Sequence, residues 1–271
     1  MSSAFRVRPA SVPSPHALTA LARADYLRGV HSEQTTALTL RVLGGLEVAG
    51  SAGAETLATQ PKRAALFLYL AVARPSGFHR RDRLVTLFWP EHDQEHARAA
   101  LRKALHALRQ AVGDDVVVTR GDEEIGLSSS VWCDATAFLN EAKQEHYARA
   151  LELYRGDLMT GFFADAPGFE RWLEEERVFF RETAGSCAWA LAERYVTSSD
   201  LTSATRWARR AVNLAPNDER RLRKALSLLH QAGDRAGAVK LFEDFARRLH
   251  AELDIEPSQE TQALMRQIRG R

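Results

Sequence analysis

Four basic side chains in a stretch without acidic residues are the part of this sequence best suited to chemistry. Between His96 and Val112 there is no Asp or Glu, and the stretch contains Arg98, Arg102, Lys103 and Arg109. At 100° per residue, Arg98, Arg102 and Arg109 lie within about 40° of one another on a helix, and His106 and Gln110 continue the arc. Guanidinium and ammonium groups bind phosphates, and Arg, His and Gln side chains hydrogen-bond to base edges. The pattern therefore favours a DNA-contacting surface.

The apolar residues of the same stretch predict one long helix. They recur at intervals of three and four residues, at Ala97, Leu101, Ala104 and Leu108. Asp93 starts the helix, Glu95 lies in the first turn where the helix dipole favours a negative charge, and Gly113 ends it. Lys103 lies opposite the apolar stripe. A helix with one buried and one cationic face is what a major-groove recognition helix requires, and a solvated basic face is the alternative interpretation.

The neighbouring segments complete a winged helix-turn-helix. Apolar alternation predicts strands in residues 38–44 and 46–48, and one more short strand over Leu57–Thr59. Two helices come next, the first from Pro61 to about Arg74 and the second over about Arg81–Trp89. Residues 114–128 predict a β-hairpin, which would be the wing. Its turn carries one cation, Arg120, followed by Asp122, Glu123 and Glu124, so contact between the wing and DNA stays open.

From about Asp134 onward the periodicity is helical throughout. The predicted helices span Tyr147–Tyr154, Phe169–Thr197, Leu201–Leu214, Glu219–Gln231, Ala236–Leu253 and Ser258–Ile268. An offset of 34 residues relates Asp200 to Asp234 and Ala204 to Ala238. A 34-residue period in paired helices is typical of tetratricopeptide repeats, in which each helical hairpin buries one face by stacking on the next.

Composition and charge exclude several classes of protein. The 271 residues are 45% hydrophobic and 27% charged, as in a globular protein. No apolar run is long enough to cross a membrane, and the first residues lack a signal-peptide pattern, so we expect a cytoplasmic protein. The net charge is only +2, but residues 41–109 carry eleven Lys or Arg against six acids. A basic segment of this kind indicates an anionic partner.

Enzymatic chemistry finds little support in the sequence. His92 and His96 lie four residues apart, but the HExxH order is absent and no third metal ligand is evident. Phosphate-binding loops and nucleophile elbows are also absent. The spacing of Cys133 and Cys187 fits neither a metal site nor a disulfide framework. We expect no metal, no cofactor and no catalysis, and a metal hydrolase is the weakest of the alternatives.

Several long motifs resemble one bacterial family. The segment RDRLVTLFWPEHDQEHARAALRKALHALRQAVG strongly resembles the DNA-binding half of SARP-type bacterial transcriptional regulators. The later segments LYRGDLMTGF, FERWLEEERVFFR and AELDIEPSQETQALM resemble the bacterial transcriptional activator domain that follows in these proteins. The resemblance extends from about Leu38 to Arg269, and its motifs occur in the order of the family.

The resemblance implies a winged helix that binds direct repeats in double-stranded DNA, with protomers side by side as a possible homodimer on DNA. It also implies activation by contact with RNA polymerase. The recognition helix would be Asp93–Val112, with contacts from Arg98, Arg102, Lys103, His106 and Arg109. Lys62 and Arg63 match a helix start that binds the DNA backbone, Arg80 and Arg81 open the second helix, and Arg120 lies on the wing.

This sequence departs from the family pattern in three places. Arg80 stands where a capping Ser or Thr is expected, which costs about 1 kcal/mol of helix stability but adds a cation that reaches phosphates. The acidic wing is the second departure. The third is that many relatives continue into a nucleotide-binding domain and further repeats, so we expect no ATP switch in this chain.

We therefore expect a mainly α protein with three parts. Residues 1–36 would be a flexible extension, residues 37–133 an α+β winged helix-turn-helix, and residues 134–271 an all-α, tetratricopeptide-like activator domain. The expected function is sequence-specific DNA binding by a transcriptional regulator, in the first place an activator. One alternative is repression, because the sign depends on where the site lies relative to the promoter. Another is a helical-repeat adaptor whose winged helix has lost DNA binding.

Overall fold

A computed structural model describes residues 38–270 except 52, 54–56 and 58. By their contacts, residues from Leu38 to the C-terminus form one compact unit. The expected extension at 1–36, with a short helix over Leu18–Tyr26, lies outside the described residues. The domain boundaries expected at 37 and 134 stay a prediction, since the described residues on both sides of position 134 share one core.

In its described residues, the first part of the unit alternates short strands with three longer helices. The strands are β1 (Thr39–Arg41), β2 (Glu47–Ala49), β3 (His79–Arg80), β4 (Val117–Arg120), β5 (Glu124–Leu127) and β6 (Trp132–Cys133). The helices are α1 (Pro61–Val72), α2 (Arg81–Phe88) and α3 (Gln94–Val112). The strand predicted over Leu57–Thr59 is wrong at its two described positions, because Leu57 is helical and Thr59 lies in a turn. Leu57 is instead buried in the core.

The six strands form two small sheets. One has the order β2-β1-β6, with β2 antiparallel and β6 parallel to β1. The other has the order β3-β5-β4 and is antiparallel throughout. In the β4–β5 hairpin, Val117 pairs with Leu127 and Arg120 with Glu124. This hairpin follows α3 directly and is the wing predicted from the sequence.

Seven helices follow the last strand. They are α4 (Asp134–Lys143), α5 (Tyr147–Leu153), α6 (Pro167–Thr197), α7 (Leu201–Leu214), α8 (Glu219–Gln231), α9 (Arg235–Leu253) and α10 (Gln259–Arg269). The sequence did not predict α4 as a separate helix. The 34-residue repeat is confirmed, since Asp200 and Asp234 cap α7 and α9 through their side chains, and Ala204 and Ala238 are both fully buried. The mainly α fold with an N-terminal α+β region is likewise confirmed.

A continuous apolar core joins the winged helix to the helices that follow. Phe88 of α2 stacks on Phe169 of α6 with ring centroids 5.3 Å apart, and Tyr69 of α1 meets Trp172 edge-on at 4.7 Å. Gly168 permits this approach, because a Cβ atom there would lie 3.0 Å from the carbonyl oxygen of Leu87. The close contact fixes α2, and with it the start of α3, against the helical region.

Backbone polar groups fix the same junction at its other end. The buried Asp134 carboxylate accepts hydrogen bonds from the backbone N–H of Val42 at 2.8 Å and of Leu43 at 3.2 Å. The N–H of Met159 donates to the carbonyl of Val42 at 2.8 Å, and the N–H of Gly44 donates to the carbonyl of Asp157 at 3.0 Å. The end of β1 is therefore bonded to residues on both sides of α5.

Candidate nucleic-acid interface

The helix that carries the predicted contacts is sharply bounded. The Asp93 carboxylate accepts from the backbone N–H of His96 at 3.0 Å, which caps the N-terminus of α3. Gly113 ends the helix with a φ of 113°, a conformation that glycine adopts without a side-chain clash. The apolar stripe is buried as predicted, at Ala97, Leu101, Ala104 and Leu108. The opposite side of α3 faces solvent.

Three of the predicted contacts are exposed on that outer side: Arg102, Lys103 and His106. Arg102 and Lys103 form no ion pair with another described residue. His106 lies one turn before Gln110, and the two side-chain nitrogens are 3.1 Å apart. Unpaired cations on an exposed helix keep their full attraction for an anionic ligand.

Arg98 belongs to the same arc but is already paired. Its Nη2 donates to Asp82 Oδ1 of α2 at 2.8 Å, and this bond raises the pKa of Arg98. Both side chains are partly exposed. The pair links the first turn of α2 to α3, so Arg98 has a structural role besides any contact with phosphate.

Arg109 is turned toward the wing. Its Nε and Nη2 both donate to the backbone carbonyl of Val117 in β4, at 3.2 and 3.1 Å. The side chain is half-buried between α3 and the hairpin. The helical spacing predicts Arg109 on the same face as Arg98 and Arg102, but its guanidinium contacts the wing instead of facing solvent.

The start of α1 adds two cations next to α3. Lys62 and Arg63 lie in its first turn, which contains no acidic residue, and Pro61 occupies the first helical position. Lys62, Arg63 and Lys103 line one recess of about 400 Å³ together with Trp89. Lys62 also lies 3.5 Å from Glu91. Helix N-termini favour anions, so these cations and the helix dipole act in the same direction.

The wing is less acidic in structure than in sequence. In the sheet, Glu124 of β5 lies opposite Arg80 of β3 on one side and opposite Arg120 of β4 on the other. Arg120 also forms an ion pair with Glu124. The hydrogen bond from Arg120 lowers the pKa of Glu124, and Arg80 adds to the effect. The Arg120 guanidinium also lies 4.7 Å from the centroid of the Phe78 ring. One of the three wing acids is thus neutralised within the sheet.

The second helix starts without a side-chain cap. Arg80 is the N-cap residue of α2, and its side chain makes no capping hydrogen bond, as its residue type predicts. Arg81 is half-buried, and its backbone N–H donates to the carbonyl of Glu123 at 2.8 Å. Asp82 supplies the negative charge of the first turn and also holds Arg98.

Other chemistries find no site in the described part of the chain. His96 contacts Asp93 at 2.7 Å and His92 lies near Glu91, but no group of three or more His, Cys, Asp or Glu could hold a metal ion among the described residues. Cys133 and Cys187 are buried and unpaired, and burial raises both thiol pKa values to about 11. No described helix is long and apolar enough to span a membrane.

Sequence reasoning missed the partners of the cations. Asp82 lies 16 residues before Arg98, and Glu124 meets Arg80 only through strand pairing. Neither relationship has a local sequence signal. The sequence predicted the hairpin but placed Arg120 in its turn, whereas Arg120 is the last residue of β4 and is paired with Glu124.

Comparison with known proteins identifies the family. A family model described as the bacterial transcriptional activator domain matches residues 134–269, about half of the chain. No curated protein sequence matches. The solved structure of Mycobacterium tuberculosis EmbR in complex with a low-affinity phosphopeptide is similar, with a TM-score of 0.53 and 16% sequence identity. The similarity covers 86% of this chain and 65% of the EmbR chain, so this chain spans less than two thirds of that relative.

These findings bear on fold and family. At 16% identity, the likeness to EmbR shows that the fold is shared and no more. The family match begins at Asp134, the first residue of α4 and the residue after β6. The resemblance to SARP-type regulators seen in the sequence is confirmed, and the chain belongs to the family of proteins that carry the bacterial transcriptional activator domain.

Proposed function

We propose that the protein is a transcriptional regulator that binds double-stranded DNA in a sequence-specific manner through α3. The observation that carries this proposal is the exposed outer side of α3. Arg102 and Lys103 lie there without ion-pair partners in the described structure, on a helix anchored by a buried stripe. A helix presented in this way after a short preceding helix fits the major groove.

The cations around α3 form two groups. Lys62, Arg63 and Lys103 share one recess and would bind backbone phosphates on one side of the groove. Arg80 of β3 and Arg120 of β4, which is exposed although it pairs with Glu124, lie in the sheet of the wing and would reach phosphates on the other side. With about four to six phosphate contacts, the logarithm of the binding constant should fall with the logarithm of salt concentration at a slope of about −4 to −5.

The helical region would serve partners other than DNA. Family membership supports promoter binding and activation through RNA polymerase, and a homodimer on direct repeats would match the expected arrangement. Residues 37–133 would supply DNA binding and residues 134–271 the partner surface. The junction at Phe88 and Phe169 would hold the two in a fixed relation. Such a regulator acts without catalysis and works in the cytoplasm, where bacterial DNA lies.

One observation favours a second function, the adaptor. A groove of about 720 Å³ lies between α6, α8 and α10, with Trp189, Val196, Leu228 and Leu264 among its apolar residues. Grooves between stacked helical hairpins often hold peptide segments. In that case Arg98 and Arg109, which are held within the protein, would have structural roles only.

Selection of bound fragments from sheared genomic DNA separates the two functions. Wild-type protein should enrich a repeated motif, and an Arg102→Ala/Lys103→Ala variant should lose that enrichment. Arg247→Ala is the matched control, because Arg247 is an exposed helical arginine on α9, far along the chain from α3. Absence of any enriched motif with the wild-type protein would overturn DNA binding and favour the adaptor.

A further inference from the structure

The outer stripe of α3 contains one acidic residue that the cationic pattern does not explain. The buried residues Ala97, Leu101, Ala104 and Leu108 define the inner side. Two residues before each of them, a rotation of about 200°, lie Glu95, Ala99, Arg102 and His106. Glu95, Arg102 and His106 are exposed, and Ala99 is half-buried. These four residues form the line on α3 that lies opposite the core.

Glu95 differs from the other acids around it because it has no partner. Asp93 contacts His96 at 2.7 Å, Asp82 contacts Arg98 at 2.8 Å, and Glu91 lies 3.5 Å from Lys62. Glu95 makes no ion pair and no side-chain hydrogen bond with any other residue in the described structure. Glu95 lies in the first turn of α3, where the helix dipole favours a negative charge, but the side-chain cap of the helix is provided by Asp93.

An unpaired carboxylate on a DNA-contacting face opposes phosphate binding. It favours binding only where it meets a hydrogen-bond donor, and on a major-groove edge the donors are exocyclic amino groups. Carboxylates accept from the N4 amino group of cytosine and are repelled by the acceptor edges of guanine and thymine. Glu95 is therefore suited to select one base by excluding others.

Resting on the DNA-binding function proposed above, we infer that Glu95 determines specificity by selecting a cytosine at one end of the site read by α3. The stripe from Glu95 to His106 covers 11 residue-to-residue steps, or about 16 Å, which corresponds to about five base-pair steps. Along it, the methyl group of Ala99 fits a thymine methyl and the guanidinium of Arg102 fits guanine. Glu95 would then accept a hydrogen bond from the amino group of cytosine, and Arg102 would donate to the acceptor edge of guanine at a separate position.

The test is binding-site selection from a random duplex library with wild-type protein, Glu95→Ala and Glu95→Gln. At one position of the site, separate from the guanine read by Arg102, the wild type should prefer cytosine about tenfold over the other bases. Glu95→Ala should lose that preference and keep the others. Glu95→Gln should shift it toward adenine, because a glutamine amide pairs with adenine N6 and N7. Glu252→Ala, which removes an exposed helical acid of α9, is the control for net charge.

The outcomes separate this inference from the function on which it rests. If the wild type selects a motif and both Glu95 variants select the same motif, Glu95 does not determine specificity. A uniform gain in affinity for all sequences, larger than in Glu252→Ala, would show simple repulsion and also overturn the inference. If the wild type selects no motif, DNA reading by α3 fails, and this inference fails with it. Far-UV circular dichroism of each variant should show the wild-type helix content, which checks that the variant is folded.

Discussion

Arg74, two residues after the end of α1, and Glu176 of α6 form a two-point ion pair. Arg74 donates from Nε and Nη2 to the two carboxylate oxygens at 3.2 and 3.0 Å. The Glu176 side chain is only 6% exposed, and the Arg74 guanidinium lies 3.5 Å from the centroid of the Phe179 ring. This pair lies beside the aromatic junction and joins the winged helix to the helical region.

Substitution of Arg74 should destabilise the protein more than substitution of Glu176. Arg74→Ala leaves a buried carboxylate without its partner and should lower the free energy of unfolding by about 2–3 kcal/mol. Glu176→Gln removes the charge but keeps hydrogen-bonding capacity, while the 43% exposed Arg74 side chain turns to water, so the loss should be about 1 kcal/mol. Urea titration of both variants measures the difference. A larger loss for Glu176→Gln would contradict the assignment.

Acid sensitivity should depend on Asp157. Burial raises its pKa, but hydrogen bonds from Arg181 and Tyr154 outweigh burial, and the pKa lies below its ordinary value of 3.8. A lowered carboxyl pKa stabilises the fold above the unfolded pKa, and that stability is lost as pH falls through the folded value. Asp157→Asn should therefore cost about 1 kcal/mol at pH 7 and progressively less below about pH 4.

Denaturation midpoints of wild type and Asp157→Asn between pH 3 and pH 7 provide the check. The two curves should converge on acidification. A constant difference across the range would show that the Asp157 charge does not contribute.

Arg109 should act on the wing rather than on phosphates. Its two hydrogen bonds to the Val117 carbonyl predict that Arg109→Ala loses about 1–2 kcal/mol of stability while the salt dependence of DNA binding changes little. Arg109→Lys should lose a similar amount, because an ammonium group cannot reproduce the guanidinium fork. Thermal unfolding together with DNA titration tests this. Wild-type stability with a reduced salt slope would place Arg109 on DNA instead.

Asp82 should restrain the DNA affinity of α3. Asp82 accepts a hydrogen bond from Arg98 at 2.8 Å. In a DNA complex it would also place a negative charge near the major groove. Asp82→Asn should free Arg98 for a phosphate, raise the affinity for random-sequence duplex and steepen the salt slope by up to about 0.9. Fluorescence anisotropy at several salt concentrations measures both quantities. Weaker binding by the variant would mean that Asp82 positions Arg98 for DNA rather than withholding it.

The sequence predicts elements well where local signals agree. For α3, the cap at Asp93, the apolar stripe and the glycine at 113 all indicate the same helix, and its bounds agree with the structure to within a residue. The helix α4 (Asp134–Lys143) was not predicted as a separate helix, and among its apolar residues only Ala135 and Phe138 are fully buried. The strand expected at Leu57 was wrong because burial, not an extended backbone, explains its apolar residue.

The candidate site, too, could be predicted from the sequence only in part. Angular spacing alone identifies Arg102, Lys103 and His106 as outward-facing residues, and the structure agrees. It cannot reveal that Arg98 is paired with Asp82, or that the long side chain of Arg109 bends toward Val117. Those contacts depend on how α2 and the wing pack against α3, which is a tertiary property without a local pattern.

The salt dependence of binding to a selected DNA fragment tests the central claim most directly. For wild-type protein, the logarithm of the association constant should fall steeply with the logarithm of salt concentration. Lys103→Ala should reduce the magnitude of the slope by about 0.9, as expected for one lost phosphate contact, and Arg247→Ala should leave it unchanged. Equal slopes for Lys103→Ala and Arg247→Ala, or wild-type binding that is independent of salt, would contradict recognition of DNA by α3.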